Sequence, residues 1–471
     1  MPTFYKPSDA QAADFIPLYW KGEYHIFYLK DYRDVAGHGE GTPWFHISTR
    51  DFVTFKEWGE AIPRGKIGQQ DLWIFTGSAL HAEGKFHIYY TGHNHHLREA
   101  LGAPSECIMH AVSGDGMKTW QKDEGFRLFA PPQYETHDWR DPYVFWNEQA
   151  KEYWMLLAAR KTQGPLRLRG CTALAVSKNL SDWQVREPFY QPDQWFTHEC
   201  PDLFRIGNWW YLVFSEFSEH SATRYRMSRG LQGPWQAAAN DQFDARAFYA
   251  AKTAGNDRER FVFGWLPTRT DQKDDQPWNW GGNLVVHKVT QEADGSLSTR
   301  MPASVGKAFA RNVALSPKPI LGQWTVGKGR FAADATGRFA AVKLAPMPDE
   351  CLIRVKVTFD KNAASAGLLL RCDATMDNYY QVRLEPANQR LVIDRWPRGG
   401  DQAFMLERPL AMTPGKPVTL TAMAEGSCLV VYANDKVALS CRMYDHKKGA
   451  VGLFAADGGI KFGAVSVKKR E

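Results

Sequence analysis

The sequence predicts an all-β protein, a five-bladed β-propeller followed by a C-terminal β-sandwich. Three observations lead there. One apolar-aromatic strand pattern recurs five times within residues 1–310. A joint containing Pro and Gly follows at "LSPKPILGQW" (315–324). Beyond it, short segments alternate strictly between apolar and polar residues and are divided by turn residues.

The repeats run in order as "KGEYHIFYL" (21–29), "EGKFHIYYTG" (83–92), "KEYWMLLAA" (151–159), "GNWWYLVFSEF" (207–217) and "RERFVFGW" (258–265). Each follows a turn and reads as the second strand of a hairpin. A Ser with an aromatic residue six or seven positions later trails the first four copies, as Ser48/Phe55, Ser113/Trp120, Ser177/Trp183 and Ser228/Trp235. These mark the outer strands of the same units. Units of this length, with about four short strands each, are propeller blades, and closing them into a ring hides the strand edges that a solenoid would expose. The second domain, residues 318–471, carries "CLIRVKVTF", "YYQVRLEP", "RLVIDRW", "PVTLTAMAE", "SCLVVYA" and "AVGLFAA", with an Asn434-Asp435 turn, and reads as an antiparallel sandwich.

Composition removes several classes of function. The chain of 471 residues is 44% hydrophobic and 23% charged, a globular balance long enough for more than one core. Its net charge of +6 is scattered, and the longest basic run, Lys468-Lys469-Arg470, is a tail, so nucleic acid is not an expected partner. The seven cysteines lack C-x-x-C spacing and read as reduced and buried. The three histidines of "GHNHH" (92–96) lie in a predicted loop with no carboxylate at helical spacing, so no metal and no cofactor is expected. No apolar run of membrane-spanning length and no leader-like segment is seen, which makes a cytoplasmic location the expectation. Oligomeric state is left open. Aromatics at 13% suit both strand packing and a sugar-binding cleft.

Indexing each repeat by its hairpin turn locates the chemistry. Asp14 lies eight residues before Gly22, Glu199 eight before Gly207, and Asp141 ten before Lys151. Thr76 and Tyr249 occupy the corresponding places in blades two and five. The first strand of every propeller blade lines the central channel, so Asp14, Asp141 and Glu199 are expected to converge there. Carboxylates held together separate their proton affinities, as one ionised base or nucleophile and one acid require. Glycoside hydrolysis uses that division. Arg140 can pair with Asp138 or Asp141, or donate to sugar hydroxyls. Trp73, Phe75 and Trp280 serve either as core or as pocket lining. His198 and Cys200 read as packing residues, and Asp202 either assists Glu199 or pairs with Arg205.

With these motifs in order, the chain resembles glycoside hydrolase family 32, the invertase, inulinase and levanase group. The resemblance is carried by Arg140-Asp141-Pro142, Glu199-Cys200 within "HECPDLF", "WIFTGSA" (73–79) with Thr76 where Ser is usual, "FYAAKT" (248–253), "FGW" (263–265) and "WGGNL" (280–284). It implies Asp14 as nucleophile, Glu199 as general acid and then base, and Asp141 as stabiliser of the oxocarbenium-like transition state. The outcome would be retaining, with the Asp14 and Glu199 carboxyls about 5–5.5 Å apart. Trp73, Phe75, Thr76, Arg140, Tyr249 and Trp280 would bind a small carbohydrate. The nucleophile motif departs from the family: Asp14 sits in "AADFIPLYW", Ala13 replaces the flanking Asn, and Leu29 stands where Gln is usual. The expected activity is exo-acting hydrolysis of β-fructofuranosides. An arabinofuranosidase-like or inverting furanosidase, a fructosyltransferase and a silent sugar-binding propeller are the alternatives.

Overall fold

A computed structural model describes residues 3–399 and 405–470; the termini of the two expected domains, residues 1 and 471, lie outside it. The chain is all-β, and its α-helices among the described residues are the short segments Val35–His38, His95–Leu101 and Ala303–Lys307. None is long and apolar enough to cross a membrane.

The first three hundred residues form antiparallel meanders at the predicted repeats. The first comprises Gln11–Trp20, Glu23–Asp31, Trp44–Thr49 and Lys56–Ile62. The second comprises Trp73–Ala82, Lys85–His93, Glu106–Ser113 and Gln121–Lys122, and the third Tyr134–Asn147, Glu152–Lys161, Gly170–Ser177 and Gln184–Val185. A fourth runs through Glu199–Ile206, Trp209–Glu216 and Ala222–Ser228, and a fifth through Tyr249–Gly255, Arg260–Arg269, Trp278–Gln291 and Leu297–Arg300. The Ser of each Ser/aromatic pair closes or nearly closes a third strand, and its aromatic partner precedes the fourth-strand segment.

The first strands of the meanders touch in sequence: Gln11–Trp20 meets Trp73–Ala82, which meets Tyr134–Asn147, then Glu199–Ile206, then Tyr249–Gly255, which returns to Gln11–Trp20. Ala12 also pairs with Gly282, joining the last meander to the first. Gly282 sits there because a Cβ would fall 1.9 Å from the Leu266 carbonyl oxygen. The second strands are almost wholly buried, as their continuous apolar pattern requires.

Residues beyond 310 form two antiparallel sheets around one core. Val355, Leu420, Leu429 and Val467 come from one sheet, and Leu368, Val382, Ile393 and Leu453 from the other. Each sheet turns one apolar row inward, but the strict alternation expected from the sequence does not hold: Ser365–Cys372 and Cys428–Ala433 are buried on both faces, and Leu369 and Phe454 pack in a second, smaller cluster. A buried polar network ties this part to the meanders. Asp244 accepts from Ser440 N at 2.8 Å and lies 2.8 Å from His287 Nε2, whose Nδ1 meets Tyr432 OH at 2.9 Å. All seven cysteines are free and buried.

Candidate active site

Every first strand is interrupted by a β-bulge at the same height. The register breaks between Ala13 and Ile16, Phe75 and Gly77, Arg140 and Tyr143, Glu199 and Asp202, and Tyr249 and Lys252. Asp14, Asp141, Cys200 and Ala250 take positive φ of 46°, 58°, 52° and 50° there. Such a bulge leaves residues out of the ladder and re-aims their side chains. For non-glycine residues that conformation is strained, and it is repeated in four strands around one point.

The bulges correct the register of the sequence reading by one residue. Asp14 precedes the strand end Trp20 by six positions, as Thr76 precedes Ala82, Asp141 precedes Asn147 and Cys200 precedes Ile206. Glu199 therefore matches Ala13 and Arg140, not Asp14. The turn misled the count: Gly22 is the second residue of its two-residue turn, whereas Gly207 is the first of its own. The carboxylates still converge, because the one-residue offset brings Glu199 to the cavity beside the Arg140 guanidinium.

A cavity of about 420 Å³ opens at this level, lined by Asp14, Asp141, Glu199, Arg140, Trp73, Phe75, Tyr249 and Trp280, together with Asp31, Thr42, Cys200 and Ala250. Thr76, expected in the lining, stands behind it and donates its hydroxyl to Asp14 Oδ2 at 2.6 Å. Trp265 Nε1–H donates to Asp14 Oδ1 at 3.0 Å. Burial nevertheless pushes the Asp14 carboxyl up to about 7, with Asp141 and Glu199 adding repulsion against those two donors.

Asp141 accepts from Cys200 N at 2.9 Å, and its own N–H donates to Thr91 Oγ1 at 2.7 Å. Burial raises its carboxyl to about 6, with Arg140 opposing. Glu199 accepts from Arg140 Nη2 at 3.0 Å on one oxygen and from Tyr249 OH on the other. Tyr249 and Cys200 are both pushed well above their ordinary ranges, mainly by burial, so neither supplies an anion.

Arg140 forms the ion pairs that the sequence offered and also lines the cavity. It pairs with Asp138 at 2.8 Å, Glu106 at 3.3 Å and Glu199 at 3.0 Å, stands 4.0 Å from Asp141, and faces the cavity. One cation thus serves four carboxylates, which holds it protonated and fixes its fork. Glu106 escaped the sequence reading because it opens a third strand, although the Arg140 N-terminal to a channel acid was a signal that partners were needed. Trp265 was visible only as part of "FGW".

Other expectations fall differently. Asp202 is buried and accepts from Thr253 N at 2.6 Å; Arg205 donates to the Gly207 carbonyl instead. His198 stacks on Phe214 at 4.7 Å, with burial holding it down to about 3, a packing residue. The "GHNHH" run corrects the expected loop: His95–Leu101 is helical, with Asn94 capping it. Glu99 then comes to helical spacing, and its carboxylate gathers with His95 and His96. His96 Nε2, however, is 2.7 Å from Glu40, and His95 packs on Trp73 at 4.6 Å.

Comparison with known proteins agrees with this fold. The N-terminal domain model of glycosyl hydrolases family 32 matches residues 16–299, and the C-terminal model of that family matches residues 332–469. The sucrose-6-phosphate hydrolase of Zymomonas mobilis subsp. mobilis is 25% identical over 94% of this chain and 86% of its own length. The raffinose invertase of Escherichia coli is 25% identical over 94% and 88%. Among solved structures, sucrose-6-phosphate hydrolase from Lactobacillus gasseri superposes with a TM-score of 0.76 at 16% identity, covering 99% of this chain and 92% of that one. Exo-inulinase from Aspergillus awamori gives 0.72 at 16% identity, covering 100% and 99%. With both family models matched and the acids gathered in one cavity, the chain belongs to glycosyl hydrolase family 32 and is a glycoside hydrolase of the β-fructofuranosidase type.

Proposed function

We propose that this protein is a retaining, exo-acting β-fructofuranosidase working on sucrose-like sugars or short fructo-oligosaccharides. The observation that carries this reading is the meeting of Asp14, Asp141 and Glu199 at three strand bulges around one cavity. The five successive first strands, each touching the next and the last touching the first, support a five-bladed propeller of residues 1–310. Pairing of Arg311–Asn312 with Gly459–Lys469 supports a division near 310 and a sandwich over 318–471.

Asp14 attacks the anomeric carbon, and its carboxylate oxygen forms a bond to the sugar as the glycosidic C–O bond breaks. Glu199 gives its proton to the departing oxygen. Water then enters, Glu199 takes one of its protons, and the hydroxide oxygen displaces Asp14, releasing the sugar and restoring both groups. Asp141 and Arg140 hold sugar hydroxyls, and the Asp141 carboxylate stabilises the positive charge that develops on the ring. Thr76 and Trp265 aim Asp14 and favour its ionised form, offsetting part of the desolvation.

A second reading, a different furanoside such as an arabinofuranoside, has one observation in its favour. Ala13 and Leu29 pair beside the first bulge, both fully buried, so no polar side chain stands next to Asp14 where the family usually has Asn and Gln. A panel of sucrose, inulin and levan oligomers and aryl arabinofuranosides, with the released sugars identified, separates the two. Free fructose from the first group supports the proposal. Arabinose alone, or no sugar at all, rejects it.

A further inference from the structure

A cavity of about 630 Å³ lies where the meanders meet the C-terminal part, and Asp14, Asp141 and Glu199 do not line it. Four cations do: Lys6, Arg33 and Arg269 from the first three hundred residues and Arg442 from beyond 310. Arg442 is 5% exposed, and its hydrogen bonds all go to neutral acceptors. These are the Leu266 and Pro267 carbonyls at 2.7 and 2.9 Å, Asn283 Oδ1 at 2.8 Å, Ser427 Oγ at 3.1 Å and Cys428 Sγ at 3.0 Å. The guanidinium is fixed in place, but its charge is not neutralised. Lys6 Nζ likewise donates to the Pro7 and Ala10 carbonyls, each at 3.0 Å, and keeps a third N–H. Arg269 gives one N–H to the Gln276 carbonyl at 2.7 Å. Among the described residues none of these three cations forms an ion pair. Burial holds the Lys6 ammonium below its ordinary range, and Arg442 and Arg33 add repulsion against the pull of Asp9.

The acids of the same walls do not cancel this charge. Glu425 accepts from Thr3 N and Phe4 N at 2.9 and 3.3 Å and pairs with Arg470 at 3.4 Å, while Arg33 pairs with Asp31 at 3.1 Å. Asp271, exposed, is the remaining acid to set against Lys6, Arg269 and Arg442, which leaves two positive charges in excess. Two polar groups of the lining also lack partners. Tyr444 is 7% exposed and its hydroxyl makes no hydrogen bond among the described residues, and Gln11 Oε1 is buried and unpaired.

We infer that this cavity binds a phosphate dianion, free or as the monoester of a small sugar, apart from the catalytic cavity and independently of the fructosidase reading. Cations withheld from water without a counter-charge are costly, and a dianion matches the excess. Lys6 and Arg269 supply charge-assisted donors and Tyr444 supplies a hydroxyl, while Arg442, its N–H groups already engaged, contributes through its field. A carboxylate, with its single charge, would meet only half of the excess. The cavity is larger than a phosphate group, and Gln11, Gln272 and Asn279 offer carboxamides to the hydroxyls of an attached sugar.

The test is calorimetric titration of the full chain at low ionic strength with ribose 5-phosphate, inorganic phosphate and ribose. It is repeated for Lys6→Met, Arg269→Met and Tyr444→Phe, with a thermal melt of each chain. Ribose 5-phosphate is expected to bind at one site, ribose is expected not to bind, and added salt should weaken the phosphate ester. Lys6→Met and Arg269→Met should each weaken it by about tenfold or more, the worth of a charge-assisted contact, and Tyr444→Phe by about threefold to tenfold, that of one hydroxyl donor. Tyr444→Phe keeps the ring in place 5.9 Å from the Arg442 guanidinium, so affinity lost in a chain that melts as the native one does is a lost contact and not a lost fold. Inorganic phosphate held as tightly as the ester supports the site and identifies the free ion as its occupant; tighter binding of the ester supports it and identifies the sugar phosphate. Binding of neither phosphate, ribose held as tightly as its phosphate, or full affinity in both Lys6→Met and Tyr444→Phe overturns it.

Discussion

Replacing Asp14 by Asn should abolish sugar release and at the same time stabilise the fold. Burial lifts the Asp14 carboxyl from 3.8 to about 7, so the folded protein holds its proton more tightly than the unfolded chain does. For a group raised in the folded state, the cost is absent below the unfolded value, grows as pH rises from about 4 to about 7, and is constant above that. At about 1.4 kcal/mol per pH unit, the full cost is about 4 kcal/mol. Asn removes the charge yet keeps an amide oxygen to accept from Trp265 Nε1 and an amide N–H₂ to face Thr76 Oγ1. With an unfolding entropy of roughly 2 cal/mol/K per residue, the chain's length converts that cost into a Tm gain of about 4 °C. The assay is scanning calorimetry of the native and Asp14→Asn chains between pH 4 and 8, taking the difference at each pH so that titrating groups remote from Asp14 cancel. A gain that widens with pH and levels above 7 is expected. A variant no more stable at pH 8 than at pH 4, relative to the native chain, would refute the desolvation of Asp14.

Glu199→Gln should cut sugar release by about 10²–10⁴-fold with an unchanged circular dichroism spectrum, since it removes the proton donor and keeps the shape. The acid limb of kcat/KM should have its midpoint near 7, where Asp14 loses its proton; Trp265→Phe, which deletes a donor to the ionised form, should move that limb to higher pH in a pH–rate profile. Arg140→Met should destabilise by about 3–5 kcal/mol in denaturant titration because Glu106, Asp138, Asp141 and Glu199 lose their shared cation. Buried imidazole pairs, His25 with His46 and His87 with His110, each 3.0 Å apart, add an acid weakness. Burial holds His46 down to about 2 and His110 to about 4, so stability present above the unfolded value near 6.5 is lost as pH falls below it. Thermal melts of His46→Gln/His110→Gln against the native chain should show a flatter acid dependence in the variant.

Much of the fold was legible because its information is local. The repeated pattern of "YHIFYL" and its relatives fixes a buried second strand, and Gly or charged turns beside it fix the hairpin. Counting back from those turns locates the inner strands and places Asp14, Thr76 and Asp141 at matching positions. Glu199 came out one place off because Gly22 and Gly207 occupy different positions in otherwise equal turns. Partners that arrive from other strands were not legible. Glu106 reaches Arg140 from a third strand, Trp265 reaches Asp14 across 251 residues, and Asp244 meets Ser440 across 196. No spacing rule encodes such meetings; they follow from closure of the sheets around one point. The short helix at His95–Leu101 was missed because seven residues carry too little periodicity to separate a helical turn from a loop.

Trapping the sugar on the enzyme tests the central claim most directly. The native chain and Glu199→Ala, quenched in acid during turnover of an activated β-fructofuranoside and digested, should both yield a peptide heavier by one fructosyl residue, with the bond on Asp14 and the larger yield in the variant. An adduct on any other side chain, or steady turnover releasing the inverted anomer with no adduct at all, would contradict Asp14 as the nucleophile in this pocket.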